Sequence, residues 1–197
     1  MLCIHNIYAF EVNGEEYPFA VEFKPVFDVG GQPVFSIIQD KEGFIWLGSF
    51  FNGAVRFDGY SKKSLSTGPG GISSRFATQL FEDSDGLLWI GTNDGLNRYD
   101  KGTNRITVFR AKPDDSNSLI HNSFNNAAQT ITEDAEGMIW FGTQNGLSSF
   151  DKKNETFKNY QHDPQDPFSL SGNDIFSIHY DRAGYIWVAS KDRGVSR

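Results

Sequence analysis

The sequence predicts an all-β protein, a β-propeller of four repeat units whose fourth is incomplete, giving a partial or small propeller. Three observations predict it. The heptads DKEGFIW at 40–46, DSDGLLW at 83–89, DAEGMIW at 134–140 and DRAGYIW at 181–187 hold Asp, Gly and Trp at identical mutual spacing. Their tryptophans stand 43, 51 and 47 residues apart, close to the ~40 to 50 residues of one propeller blade. Around each Trp the runs FIWL, LLWI, MIWF and YIWV are unbroken apolar stretches, the mark of a strand covered on both faces. Radial packing of small sheets supplies that double cover.

Each unit is read strand by strand. VFSIIQ, ATQLFE, AQTITE and IFSIHY precede the repeated Asp as first, innermost strands, and the tryptophan runs are the second strands. A third strand follows a second glycine, at Gly53, Gly95, Gly146 and Gly194. More polar fourth strands are expected at 105–111 and 156–161, carrying the Lys and Arg of an exposed edge, with 62–67 a weaker match. The units run about 34–76, 77–127, 128–174 and 175–197. Residues 1–33 are not a repeat: IYAFEV and YPFAVEF flank NGEE as a β-hairpin, and EFKPVFDV is a candidate for the outer strand that the fourth unit lacks.

The repeated residues read as architecture. Asp40, Asp83, Asp134 and Asp181 each sit three residues before Gly43, Gly86, Gly137 or Gly184 at a strand end. There Asp accepts backbone N–H groups and Gly supplies the left-handed conformation of a tight hairpin. Trp46, Trp89, Trp140 and Trp187, one per unit at a fixed place, are expected between blades.

Composition narrows the function. Lys and Arg total 18 against 25 Asp and Glu, for a net charge of -7, and no basic run occurs, which speaks against nucleic acid as a partner. No stretch approaches the ~18 apolar residues of a membrane span, and the N-terminus lacks the pattern of a secretory signal. The single cysteine, Cys3, and the four unpatterned histidines make no metal or cofactor motif. The sequence thus predicts no metal, no cofactor, no catalytic residues and no enzyme.

Binding residues are expected where the repeats disagree, in the loops that lead from one unit to the next: 67–76, 113–127 and 163–174. These carry Arg75, Phe76, His121, Asn122, Phe124, Asn126, Phe168, Asn173 and Asp174, aromatic, amide and charged groups suited to a polar ligand such as a glycan. A protein-interaction or structural scaffold is the alternative. Open blade edges would also allow a homodimer.

The units resemble the two-component regulator propeller repeat. DSDGLLWIGTNDGLNRYD at 83–100 and DAEGMIWFGTQNGLSSFD at 134–151 carry the resemblance most fully. DKEGFIWLGSFFNGAVRFD has one extra residue before Gly53, and DRAGYIWVASKDRGVSR has Ala189 where the others have the Gly of WxG. Ser118 to Asn122 and Ser169 to Asn173 match the family's SxxxN loops. The resemblance implies a periplasmic sensor region of a hybrid two-component regulator, similar to those with which gut Bacteroidetes detect oligosaccharides. Such regions precede a β-sandwich, a membrane helix and a histidine kinase.

Overall fold

A computed structural model describes residues 10–12, 15–17, 30–124, 129–191 and 193–197. The chain divides into two units, Met1–Gly31 and Gln32–Arg197. In the first, β1 (Phe10–Val12) pairs antiparallel with β2 (Glu15–Tyr17). EFKPVFDV, the expected closing strand, lies outside the described residues.

The second unit holds four antiparallel sheets arranged as the blades of a β-propeller. The first blade is β3 (Val34–Gln39), β4 (Ile45–Ser49), β5 (Gly53–Phe57) and β6 (Lys62–Ser64). The second is β7 (Ala77–Glu82), β8 (Leu88–Thr92), β9 (Gly95–Asp100) and β10 (Arg105–Phe109). The third is β11 (Ile131–Glu133), β12 (Ile139–Thr143), β13 (Gly146–Asp151) and β14 (Thr156–Tyr160). The fourth has three described strands, β15 (Ile175–Tyr180), β16 (Ile186–Ser190) and β17 (Gly194–Ser196). Each strand pairs with its neighbours in sequence, so every blade is a meander whose first strand lies inside and last strand outside. The fourth strands begin and end close to their expected places, because the polar alternation of an exposed edge is legible without tertiary context.

Three apolar clusters lie between successive blades rather than within them. Trp46 and Ala54 of the first blade pack on Leu80, Leu88, Ile90 and Tyr99 of the second. Trp89 and Leu96 meet Ile139, Phe141 and Phe150 of the third, the Trp89 ring lying 5.5 Å from Phe141 and 5.6 Å from Phe150. Leu147 meets Ile175, Ile178 and Val188 of the fourth, with Trp140 packed against the cluster.

Close packing between blades explains a glycine. A Cβ at Gly142 would stand 2.5 Å from the Ile175 side chain, and one at Gly91 would stand 2.8 Å from the Phe124 ring. The position must therefore stay bare where a following segment presses on it. In the fourth blade it is Ala189, half-buried, with no following blade among the described residues to meet its methyl group.

The tryptophans grade with their neighbours. Trp46 and Trp89 are 1% and 0% exposed, while Trp187 is 40% exposed, which corrects the expectation that all four are core residues alike. Burial of a Trp face is completed by the next blade, and the fourth blade has none among the described residues. Trp89→Ala is accordingly expected to lower the unfolding free energy by about 3–5 kcal/mol. Trp187→Ala should cost roughly half of that or less, since it surrenders less buried area. Urea denaturation of the two variants measures the difference, and equal losses would contradict this account of the junctions.

Candidate functional site

The blades present two ends, one formed by the repeated Asp turns and the other by the blade-connecting loops. At the first end each Asp carboxylate is fully used. Oδ1 of Asp83 accepts the backbone N–H of Asp85 at 3.0 Å and of Leu87 at 2.9 Å, while Oδ2 accepts the indole N–H of Trp89 at 2.8 Å. Asp40, Asp134 and Asp181 repeat the indole bond to Trp46, Trp140 and Trp187 at 2.8, 2.6 and 2.6 Å. The turn glycines have φ of 92°, 80°, 79° and 88°, the left-handed region that their hairpins require.

A lysine from the following blade joins two of these turns. Lys101 lies 2.6 Å from Glu82 in its own blade and 3.2 Å from both Asp40 and Glu42 in the preceding one. Lys152 does the same with Glu133 at 2.7 Å, Asp85 at 2.6 Å and Asp83 at 3.6 Å. The glutamates complete the clasp from the other side: Glu82 accepts the backbone N–H of Lys41, and Glu133 that of Ser84. Burial alone would raise the Glu133 pKa, but hydrogen bonds from Lys152 and Ser84 outweigh it and hold the carboxyl below its usual range. Burial likewise works against the Lys152 ammonium, and its carboxylate partners more than reverse this. These acids are therefore consumed by the junction between blades.

The other end carries the residues expected to bind. In the second loop the Ser118 hydroxyl accepts the Lys112 N–H at 2.9 Å, and the Asn122 side-chain oxygen accepts that of Ala111 at 2.6 Å. In the third, Ser169 accepts the Asp163 N–H at 2.9 Å and Asn173 that of His162 at 2.7 Å. The SxxxN pattern thus closes its own loop. His121 accepts the Ser123 N–H through Nδ1, and the Asp174 carboxylate stands 3.9 Å from Lys191. Phe124 is 1% exposed and packs edge-on to Phe141, a place in the core that gives a ligand no access to its ring. Phe168 is 96% exposed, and Asn126 lies outside the described residues.

The first loop is built differently. It has the glycine-rich run TGPGG in place of SxxxN, and the hairpin it meets is one residue longer than those of the second and third blades. That hairpin, Phe50–Asn52, carries two phenylalanines. Phe50 lies 4.2 Å from Phe76 and 4.4 Å from Phe51, centroid to centroid, and Phe51 is 57% exposed. Gly53 donates its N–H to the Arg75 carbonyl at 2.9 Å, tying hairpin to loop. Between them is an open recess of about 240 Å³ lined by Phe51, Asn52, Ser64, Leu65, Ser66, Thr67 and Arg75. Of the residues expected to bind, the structure brings Arg75 and Phe76 to this place. It adds Phe51, whose signal in the sequence was the extra residue before Gly53.

The two-component regulator propeller model matches residues 28–51, 71–94, 122–145 and 169–192. The repeats belong to the two-component regulator propeller family. A histidine kinase P4 from Formosa agariphila is 34% identical over an alignment of 146 residues that covers 68% of this chain and 10% of that protein. The extracellular domain of a hybrid two-component system from B. thetaiotaomicron superposes with a TM-score of 0.67 at 27% identity, over 83% of this chain and 21% of that one. The chain thus spans about a tenth of the curated relative and about a fifth of this structural one. It resembles the extracellular sensor domains of hybrid two-component systems. Virginiamycin B lyase from Staphylococcus aureus shares the fold alone, at TM-score 0.60 and 15% identity, over 87% of this chain and 57% of that one. Among the described residues no helix is long and apolar enough to cross a membrane.

The clasp yields a measurable consequence. Lys152→Met should destabilise the fold by about 2–3 kcal/mol, because it strands two carboxylates that are nearly buried. Lys153→Met, at an exposed neighbour, should change little. Because the folded-state pKa of Glu133 is depressed, its contribution is fully present above its unfolded pKa and is lost as pH falls through the folded value. Lys152 stays charged across that range. Unfolding free energies measured between about pH 6 and pH 3 should therefore fall more steeply in the parent protein than in Lys152→Met.

Proposed function

We propose that this chain is a non-catalytic, ligand-binding part of the periplasmic input region of a hybrid two-component regulator, and that it recognises an oligosaccharide. The observation that carries the reading is the end of the blades where the loops lie. There the rigid clasps of the opposite end are replaced by exposed aromatic, hydroxyl and guanidinium groups, the chemistry with which proteins hold polar rings. The extracellular location of the hybrid two-component relative supports placing that end outside the cytoplasm.

The test is a thermal-shift and calorimetric screen of the folded chain against neutral and acidic oligosaccharides. A true ligand at a hundred times its dissociation constant adds about 2.7 kcal/mol, which moves the melting temperature of a domain of this size by about 5–10 °C. At least one oligosaccharide should do so. A melting temperature that none of them moves would refute the reading.

A further inference from the structure

We propose that the recess between the hairpin of the first blade and the loop that follows that blade is a subsite for one carboxylate-bearing sugar ring, with Phe51 beneath the ring and Arg75 on its carboxylate. This rests on the oligosaccharide reading and adds to it the charge of the ligand and the place where that charge is held.

With a net charge of -7 the chain repels an anionic ligand at long range, so an acidic saccharide requires a local cation that the protein has not already neutralised. At the loop ends of the other blades Arg110 lies 2.9 Å from Asp94, Lys112 lies 3.6 Å from Asp115, and Lys191 lies 3.9 Å from Asp174. The recess is different. None of its lining residues is acidic, and among the described residues no carboxylate pairs with the exposed Arg75. A planar guanidinium in that setting offers a carboxylate two parallel charge-assisted hydrogen bonds.

Geometry supplies the second half. The hydrogen bond from Gly53 to the Arg75 carbonyl fixes the two segments that carry the ring and the cation, so their spacing is set before a ligand arrives. Phe51 is braced by Phe50, and Phe50 by Phe76, while more than half of the Phe51 surface faces solvent. The second and third blades close the corresponding, one-residue-shorter hairpins with Asn93–Asp94 and Gln144–Asn145, so the fold itself needs no aromatic residue there. The hydroxyls of Ser66 and Thr67 line the same recess and suit the hydroxyls of a sugar. At about 240 Å³ the space is smaller than the ~300 to 1,000 Å³ of complete ligand pockets, which fits one ring of a longer chain.

The test titrates isotopically labelled protein with sodium glucuronate, with glucose as its neutral match and with sodium sulfate as an anion lacking a ring. Glucuronate should shift both the Arg75 side-chain N–H signal and the Phe51 ring signals, about three- to tenfold more tightly than glucose, and less tightly as salt is raised. Arg75→Gln should abolish that preference, Arg75→Lys should keep part of it, and Phe51→Ala should weaken both sugars. Both positions are exposed, so the variants should fold like the parent. Equal binding of glucose, a sulfate response as strong as that of glucuronate at both residues, an unchanged Arg75→Gln variant, or no response to glucuronate would each overturn the subsite. An oligosaccharide that binds the parent and both variants alike would leave the sensor reading standing and remove this one. Glucuronate binding here without binding of any oligosaccharide would do the reverse.

Discussion

In each blade one aspartate performs two tasks, and the rest of the fold depends on their combination. One carboxylate oxygen gathers two backbone N–H groups and closes the hairpin; the other takes the indole N–H of a tryptophan six residues on. Asp83 is 1% exposed and Trp89 0%, so each would carry an unpaired polar group into the interior without the other. The bond also aims the indole out of its own sheet and towards the next one. A local turn thereby decides how two blades pack, and the apolar clusters gather around the ring that it positions.

The lysine clasps extend this logic across the junction. Lys101 and Lys152 each reach their own blade's glutamate and the preceding blade's aspartate, so a turn is closed from both sides. Isolated surface ion pairs contribute little to stability. These pairs differ because Asp40 and Asp83 have side chains 0% exposed and already carry hydrogen bonds from backbone and indole. The ammonium then balances a charge that the turn has taken out of water.

Much of this was legible in the sequence because repetition separates constraint from accident. The heptads fixed the number of blades, and strand boundaries followed from the apolar runs and the glycines at the start of each third strand. The indole bond was not legible, since a spacing of six residues does not say which way a carboxylate and a ring turn. The clasp left a trace that only repeat comparison reveals: the units with Glu before the Asp, at Glu82 and Glu133, are those in which Lys follows the later Asp, at Lys101 and Lys152. The loops misdirect for a physical reason. Ser, Asn and His serve a backbone that lacks strand partners as readily as they serve a ligand, and Ser118, Asn122, Ser169 and Asn173 do the former. Phe124 reads as a loop aromatic, yet it fills the space that Gly91 leaves open.

The same distinction bears on how the first junction differs from its successors. At its turn end it is held by Lys101 among Asp40, Glu42 and Glu82, and its middle is filled by Trp46, Leu80 and Ile90. At its loop end the connecting segment is tied to the first blade by a hydrogen bond from Gly53 to the Arg75 carbonyl and to the second by hydrogen bonds of Ser73 with Asn97 and Thr92, while the Phe51 ring is more than half open to solvent. The junction thus carries buried ion pairs at one end and accessible aromatic and cationic groups at the other. The recess lies between the hairpin of the first blade and the loop leading to the second, so its two walls come from segments already tied together by the backbone. The place where the repeat pattern departs from its own rule is thus also where exposed aromatic and cationic side chains meet, while the clasped end keeps the turns closed.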